Sequence, residues 1–225
     1  KGGGVEYFIE LDDGNGLWFE LQWRSVAGRW ILPSQEPSSD ELIYRSTEIS
    51  ESKVRLLSSE DNLLQVCLHT AKHSYVRAPG FRLHTDVDRI VRGSKIDWKK
   101  FIKLTESLKV KTPTYFSLAL ASDLLQTPIP NYVLTELKPV KWKLKLISKW
   151  LQRVGLFDPN GRKWSRFGYI IFVSLLYDDL TSLKSGIIPD KEWMKNHYGF
   201  EYSILLPFFY LYRLINLSFK RTLNK

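Results

Sequence analysis

The sequence predicts an α+β chain, a small antiparallel β piece at the start followed by a predominantly helical remainder. Three observations carry that expectation. Residues 5–24 alternate β-branched and aromatic residues with polar ones around a glycine-rich turn. From residue 57 onward, apolar residues recur at the i, i+3/i+4 spacing of helices with one buried face. The 225 residues, 44% apolar and 25% charged, are enough to enclose a substantial core. The expected division is residues 1–56 for the β region and residues 57–225 for the helical domain.

The β region reads as a hairpin. Two strand-like runs flank Asp12-Asp-Gly-Asn-Gly16, whose residues tolerate the positive φ of tight turns. Along the second run Leu17, Phe19, Leu21 and Trp23 point one way, toward a core. Trp18, Glu20, Gln22 and Arg24 point the other way. That second face is either solvated or turned toward a site; alternation alone leaves both open. A polar loop around residues 33–39, a short helical turn over 40–46 and an extended segment over 46–57 follow.

The helices come next. Ser58 or Ser59 can cap a helix whose first turn carries Glu60 and Asp61, on the positive end of its dipole. Leu63, Leu64, Cys67, Leu68 and Ala71 form its buried stripe, and His69 and His73 stand one turn apart. Pro79-Gly80 is expected to stop it. Further helices are expected over 81–91, from 96, over 114–125 before Pro128 and Pro130, over 131–137, over 138–153 and over 167–182, with a loop over 155–166. Residues 204–219 are the most apolar stretch, but they are shorter than the ~20 apolar residues of a spanning helix.

A single cysteine, Cys67, excludes a disulfide framework and points to a reducing, cytoplasmic compartment. The net charge of +9 is uneven. Sixteen Lys/Arg face six Asp/Glu over residues 138–225, leaving seventeen against eighteen before them. The basic helix over 138–153 mixes tryptophans with lysines, a pattern found on membranes and nucleic acid and also on helices that pack one stripe and extend lysines outward. The expectation here is the packed helix.

His69, His73 and Asp86 have the chemistry of zinc ligands, yet a closed site needs more good ligands than these. They are expected instead to form a polar junction between helices with Lys72 and Arg82, and no structural zinc. Lys72 and Arg82 are also candidates for neutralising a triphosphate. Asp86-Val-Asp88 would suit a nucleotide-sugar metal only if it lay on a strand, because i and i+2 side chains diverge on a helix.

The middle of the chain resembles a bacterial family of uncharacterised nucleotidyltransferases. The family pattern is a Leu-x-Leu-x-His-x-x-Lys-His helix, then Leu-Arg-x-x-x-Asp-Ile, then Asp-Trp, then a helix closing on Pro-x-Pro. The corresponding residues are Leu68-His69, Lys72-His73, Arg82, Asp86-Val87, Asp97-Trp98 and Pro128/Pro130. A later segment, Ile188-Pro189 through Met194 to Tyr198-Gly199, is similar to the family's Pro…Tyr-Gly stretch.

The resemblance implies a polymerase-β-like domain that transfers a nucleotidyl group from an NTP to an acceptor, with carboxylates holding two Mg²⁺ ions. A Glu-Leu-His-Trp strand of relatives stands here as Glu20-Leu21-Gln22-Trp23, which makes Glu20 the candidate third carboxylate and metal ligand. Gln22 replaces the usual histidine. Gly93-Ser94, the one Gly-Ser pair, is not followed by a spaced Asp-x-Asp strand. The first two carboxylates are therefore expected upstream of Lys1, and this chain alone is expected to be inactive. The alternative reading is a non-catalytic helical module binding nucleic acid, peptide or a membrane surface.

Overall fold

The computed structural model describes residues 4–12, 14–26, 30–50, 52, 54–155, 165–189 and 191–219. Strands β1 (Gly4–Glu10) and β2 (Gly16–Gln22) pair antiparallel, with Val5 opposite Leu21, Glu6 opposite Glu20 and Phe8 opposite Trp18. Gly14, at φ +78°, closes the turn by donating to the Leu11 carbonyl. The Phe8 ring lies where a Cβ on Gly16 would stand, so only glycine allows this close approach.

The hairpin corrects one expectation. Val5, Tyr7, Ile9, Leu17, Phe19 and Leu21 share an apolar face, yet each is 41–56% exposed, and Trp23 is exposed too. A two-stranded ribbon has only its own neighbours to bury against, and no further layer of described residues closes over this face.

After β2 the chain enters the core through Val26, Trp30 and Ile31. A 3-10 turn at Pro33–Gln35 leads to α1 (Ser39–Arg45), where Ser38 and Glu41 form a capping box. The expected extended segment is a minimal antiparallel pair, β3 (Thr47–Glu48) with β4 (Arg55–Leu56). Helix α2 (Ser59–Lys72) then begins at an N-cap on Ser58, whose hydroxyl accepts from the Asp61 backbone N–H.

Helix α2 stops earlier than Pro79-Gly80. The Tyr75 N–H reaches back to the Thr70 carbonyl and the Ser74 N–H to Ala71, with Ser74 at φ +56°. This is a Schellman closure with serine where glycine is usual. The same closure ends α4 (Trp98–Ser107), with Lys109 at φ +55° and Val110 donating to Thr105. Between them lies α3 (Arg82–Gly93), which packs on α2. Asp97 caps α4 by accepting from the N–H groups of Lys99 and Lys100.

Helix α5 (Lys111–Leu125) lies against α2 and α3. Its own N-cap, Val110, has no side chain able to accept a hydrogen bond. Asp178 does the work from far along the chain, accepting from the N–H groups of Lys111 (2.5 Å) and Thr112 (2.9 Å). Helices α6 (Asn131–Leu137) and α7 (Lys141–Val154) follow; most of the loop expected over 155–166 lies outside the described residues.

The single helix expected over 167–182 is two, α8 (Arg166–Leu176) and α9 (Leu180–Ile187). They are separated by Tyr177, Asp178 and Asp179. The break frees Asp178 to cap α5 and Asp179 to cap α9 through the Ser182 N–H. Tyr177 donates to the Trp30 carbonyl at 2.6 Å, which joins this corner to the start of the chain.

Helix α10 (Lys191–Tyr198) and helix α11 (Leu206–Phe219) enclose a smaller cluster of Met194, Phe200 and Leu206. Among the described residues, no helix is long and apolar enough to cross a membrane.

The tie between α1 and α2 is an ion pair between the half-buried Arg45 and the buried Asp61. Arg45 gives two hydrogen bonds of 2.8 Å to Asp61, whose side chain is fully buried and also accepts from Ser58 Oγ. Removing the guanidinium strands a carboxylate without its counter-charge. Arg45→Ala should therefore lower the unfolding free energy by about 3 kcal/mol, and Arg45→Lys by less, as read from denaturant midpoints. Equal, near-zero losses would show that the pair contributes nothing.

Candidate active site

The chain that leaves β2 meets α2, which with its C-cap carries three of the candidate residues, His69, Lys72 and His73. Burial of Leu63, Leu64, Cys67, Leu68 and Ala71 fixes the rotation of α2, which turns Gln65, His69 and Lys72 to its other side. Gln65 Nε2 donates to the Ser25 carbonyl at 3.0 Å, and Lys72 Nζ to the Val26 carbonyl at 2.9 Å. The chain leaving β2 is thus held to α2 at two points about two helical turns apart. Glu36 fastens the same segment from the opposite side. Its buried carboxylate accepts from the Val26 N–H at 2.8 Å and from Ser25 Oγ, and it pairs with Arg24.

Glu20 is exposed on the polar face of the hairpin. One of its oxygens lies 3.3 Å from where a Cβ on Gly4 would stand, with Gln22 Cγ beside it at 3.0 Å. Glu6 is directly opposite Glu20 in the register, on the same face. Sequence reading missed Glu6, because only the register identifies it. Facing residues of an antiparallel pair have Cβ atoms roughly 5 Å apart, and like charges there repel unless something positive lies between them.

His69 is the point on α2 that feels Glu20. Its imidazole is held below its ordinary value of 6.5 by burial first, then by His73 and Lys72, while Asp86 and Glu20 pull it back up. His69 is nonetheless exposed at the surface of α2. His73 stacks obliquely on it, ring centres 4.7 Å apart. His73 also lies low, through burial, opposed by a hydrogen bond with the Ala78 backbone.

The expected polar junction is looser than the sequence suggests. Lys72 is committed to the Val26 carbonyl. Arg82 is exposed at the start of α3, and among the described residues Lys72, Arg82 and Asp86 make no ion pair with one another. Asp86 acts on His69 through its field alone. The histidine that does join elements is His84, unremarked in the sequence. Its buried Nε2 donates to the Tyr75 carbonyl at 2.9 Å, pinning α3 to the turn that ends α2.

Asp86-Val-Asp88 lies on α3, and Asp88 is spent on Arg92 and Thr127. The nucleotide-sugar reading of that pair fails on this geometry. Gly93-Ser94 closes the same helix and begins no strand. Among the described residues, no group of three or more His, Cys, Asp or Glu is arranged to hold a metal ion. Glu6 and Glu20 offer the hard oxygen donors that suit Mg²⁺, so they fit as part of a site and do not complete one.

A model of the family described as uncharacterised nucleotidyltransferase matches residues 6–126. The chain belongs to that family. The match starts in β1 and ends at Gln126, the positive-φ residue that closes α5. It therefore takes in the hairpin, the α2 face and all the candidate residues of this nucleotidyltransferase-like region. The Pro189…Tyr198-Gly199 segment lies beyond it. No curated protein and no solved structure matches the chain.

The histidines set a pH response for the nucleotidyltransferase-family chain. His69, His73 and His84 are all held below 6.5, burial being the largest cause in each. The unfolded chain therefore binds protons at higher pH than the folded one, and acid favours unfolding. Stability should be full above about pH 6.5 and decline as pH falls through the lowered values, a window followed by urea midpoints from about pH 7.5 to about pH 5. His69→Gln combined with His73→Gln should flatten the decline, leaving the share of His84. A midpoint that rises on acidification would contradict the assignment.

Proposed function

We propose that Glu20 is a catalytic carboxylate of a nucleotidyl transfer from a nucleoside triphosphate to an acceptor hydroxyl, with Glu6 as its partner across the hairpin. The observation that carries the reading is the placement of Glu20. It stands on the exposed polar face of β2, beside a second carboxylate and within the field of His69, inside the region matched by the nucleotidyltransferase family. Two neighbouring exposed carboxylates gain most from a cation placed between them.

Bound Mg²⁺ would neutralise phosphate charge and align the α-phosphorus for in-line attack. The residues of this chain do the rest. Glu20 and Glu6 supply oxygen ligands. Arg82, exposed at the start of α3, is a donor for phosphate oxygens, while Lys72 contributes charge from its place on the Val26 carbonyl. A neutral His69 can accept a hydrogen bond from an acceptor hydroxyl. The remaining carboxylates belong to a Gly-Ser…Asp-x-Asp element that these residues do not carry, so the chain by itself turns nothing over.

The test is Mg²⁺-dependent pyrophosphate release, in the polypeptide that also carries the Asp-x-Asp element. Glu20→Gln should lower turnover by ~10²-fold or more with the melting curve unchanged, because the side chain is exposed and serves no packing role. Glu6→Gln should lower it less. Normal turnover by Glu20→Gln removes Glu20 from the chemistry.

A further inference from the structure

Helix α7 presents an outward face that neither the fold nor the proposed chemistry uses. Trp142, Lys145, Leu146, Lys149 and Arg153 are all exposed, and at 100° per residue they fall within roughly 100° of arc. Lys138, Val140 and Lys141 extend the exposed surface at its N-terminal end. Residues 138–154 hold six cations and no carboxylate. One of the six, Lys143, turns inward and donates to the Tyr177 carbonyl, which leaves five outside.

The inner stripe of α7 is ordinary. Leu144, Ile147, Trp150 and Leu151 pack on the core. The outer face is not, because Val140 and Trp142 are each 58% exposed and Leu146 is 41% exposed, all among lysines. A helix that merely extended lysines into water would gain nothing by exposing these three. Five outward cations on a stretch that carries no carboxylate call for an anionic partner.

The apolar residues decide which one. An indole could stack on a nucleobase, but valine and leucine have no such use, and single-stranded nucleic acid is held by aromatic platforms. Tryptophan and aliphatic side chains do fit between lipid headgroups, with lysines on the surrounding phosphates. We infer that the outer face of α7 docks the protein on an anionic lipid bilayer, with Val140, Trp142 and Leu146 entering the headgroup layer and Lys138, Lys141, Lys145, Lys149 and Arg153 lying over it. The helix, about 21 Å long at 1.5 Å per residue, would lie flat on the surface rather than cross it.

The experiment is co-sedimentation of the chain with vesicles of phosphatidylglycerol and phosphatidylcholine, against vesicles of phosphatidylcholine alone. Binding is expected to the anionic vesicles only, and to weaken as salt is raised. The double variant Lys145→Glu/Lys149→Glu should bind at least ~10-fold more weakly, since each lysine near such a surface contributes several-fold. Trp142→Ala should weaken binding at unchanged charge. All three side chains are exposed, so melting curves should match the parent. The inference is overturned by absence of binding at low salt, by binding that ignores the double reversal or Trp142→Ala, or by capture of single-stranded RNA with none of vesicles.

Discussion

Burial of one stripe of α2 is the constraint on which the rest of the molecule depends. Leu63, Leu64, Cys67, Leu68 and Ala71 are removed from water against α3, α4 and α5, and Ser117 adds a hydrogen bond to the Cys67 carbonyl. Once that stripe is fixed, the opposite side of the helix has no freedom. Gln65 and Lys72 meet the chain leaving β2, and His69 is left within the field of Glu20. The position of the candidate site follows from hydrophobic packing on the far side of the helix that bears it.

Carboxylates make the long-range joins. Asp61 holds α1 to α2, Glu36 gathers the segment after β2, and Asp178 completes the N-terminus of α5 from the break between α8 and α9. Each satisfies backbone or guanidinium donors that would otherwise be left unpaired on folding, so each is a place where a single substitution reaches across the chain. Glu6 and Glu20 differ from these three. They face outward, side by side, and serve no donor among the described residues.

Local signals in the sequence were legible and remote ones were not. Ser58 caps its helix as the sequence suggests, because a cap acts within three residues. The hairpin and its turn are equally local. The end of α2 was not legible, since Ser74 takes a left-handed conformation that glycine usually marks. Nor was Asp178 as the cap of α5, or the split of α8 from α9, because those depend on partners more than sixty residues away. Alternation in β2 correctly separated its two faces, but it could not say what covers the apolar one. At the site, Glu20 was found from the resemblance to a family, whereas Glu6 needed the register and His84 needed the packing of α3.

The candidate site depends on α2 holding His69 within the field of Glu20, and the direct test is the titration of His69 by NMR. The carboxylate of Glu20 favours the protonated imidazole, so Glu20→Gln should move the His69 value further down and leave His84 where it is. An unchanged His69 titration would place Glu20 away from α2 and contradict the site.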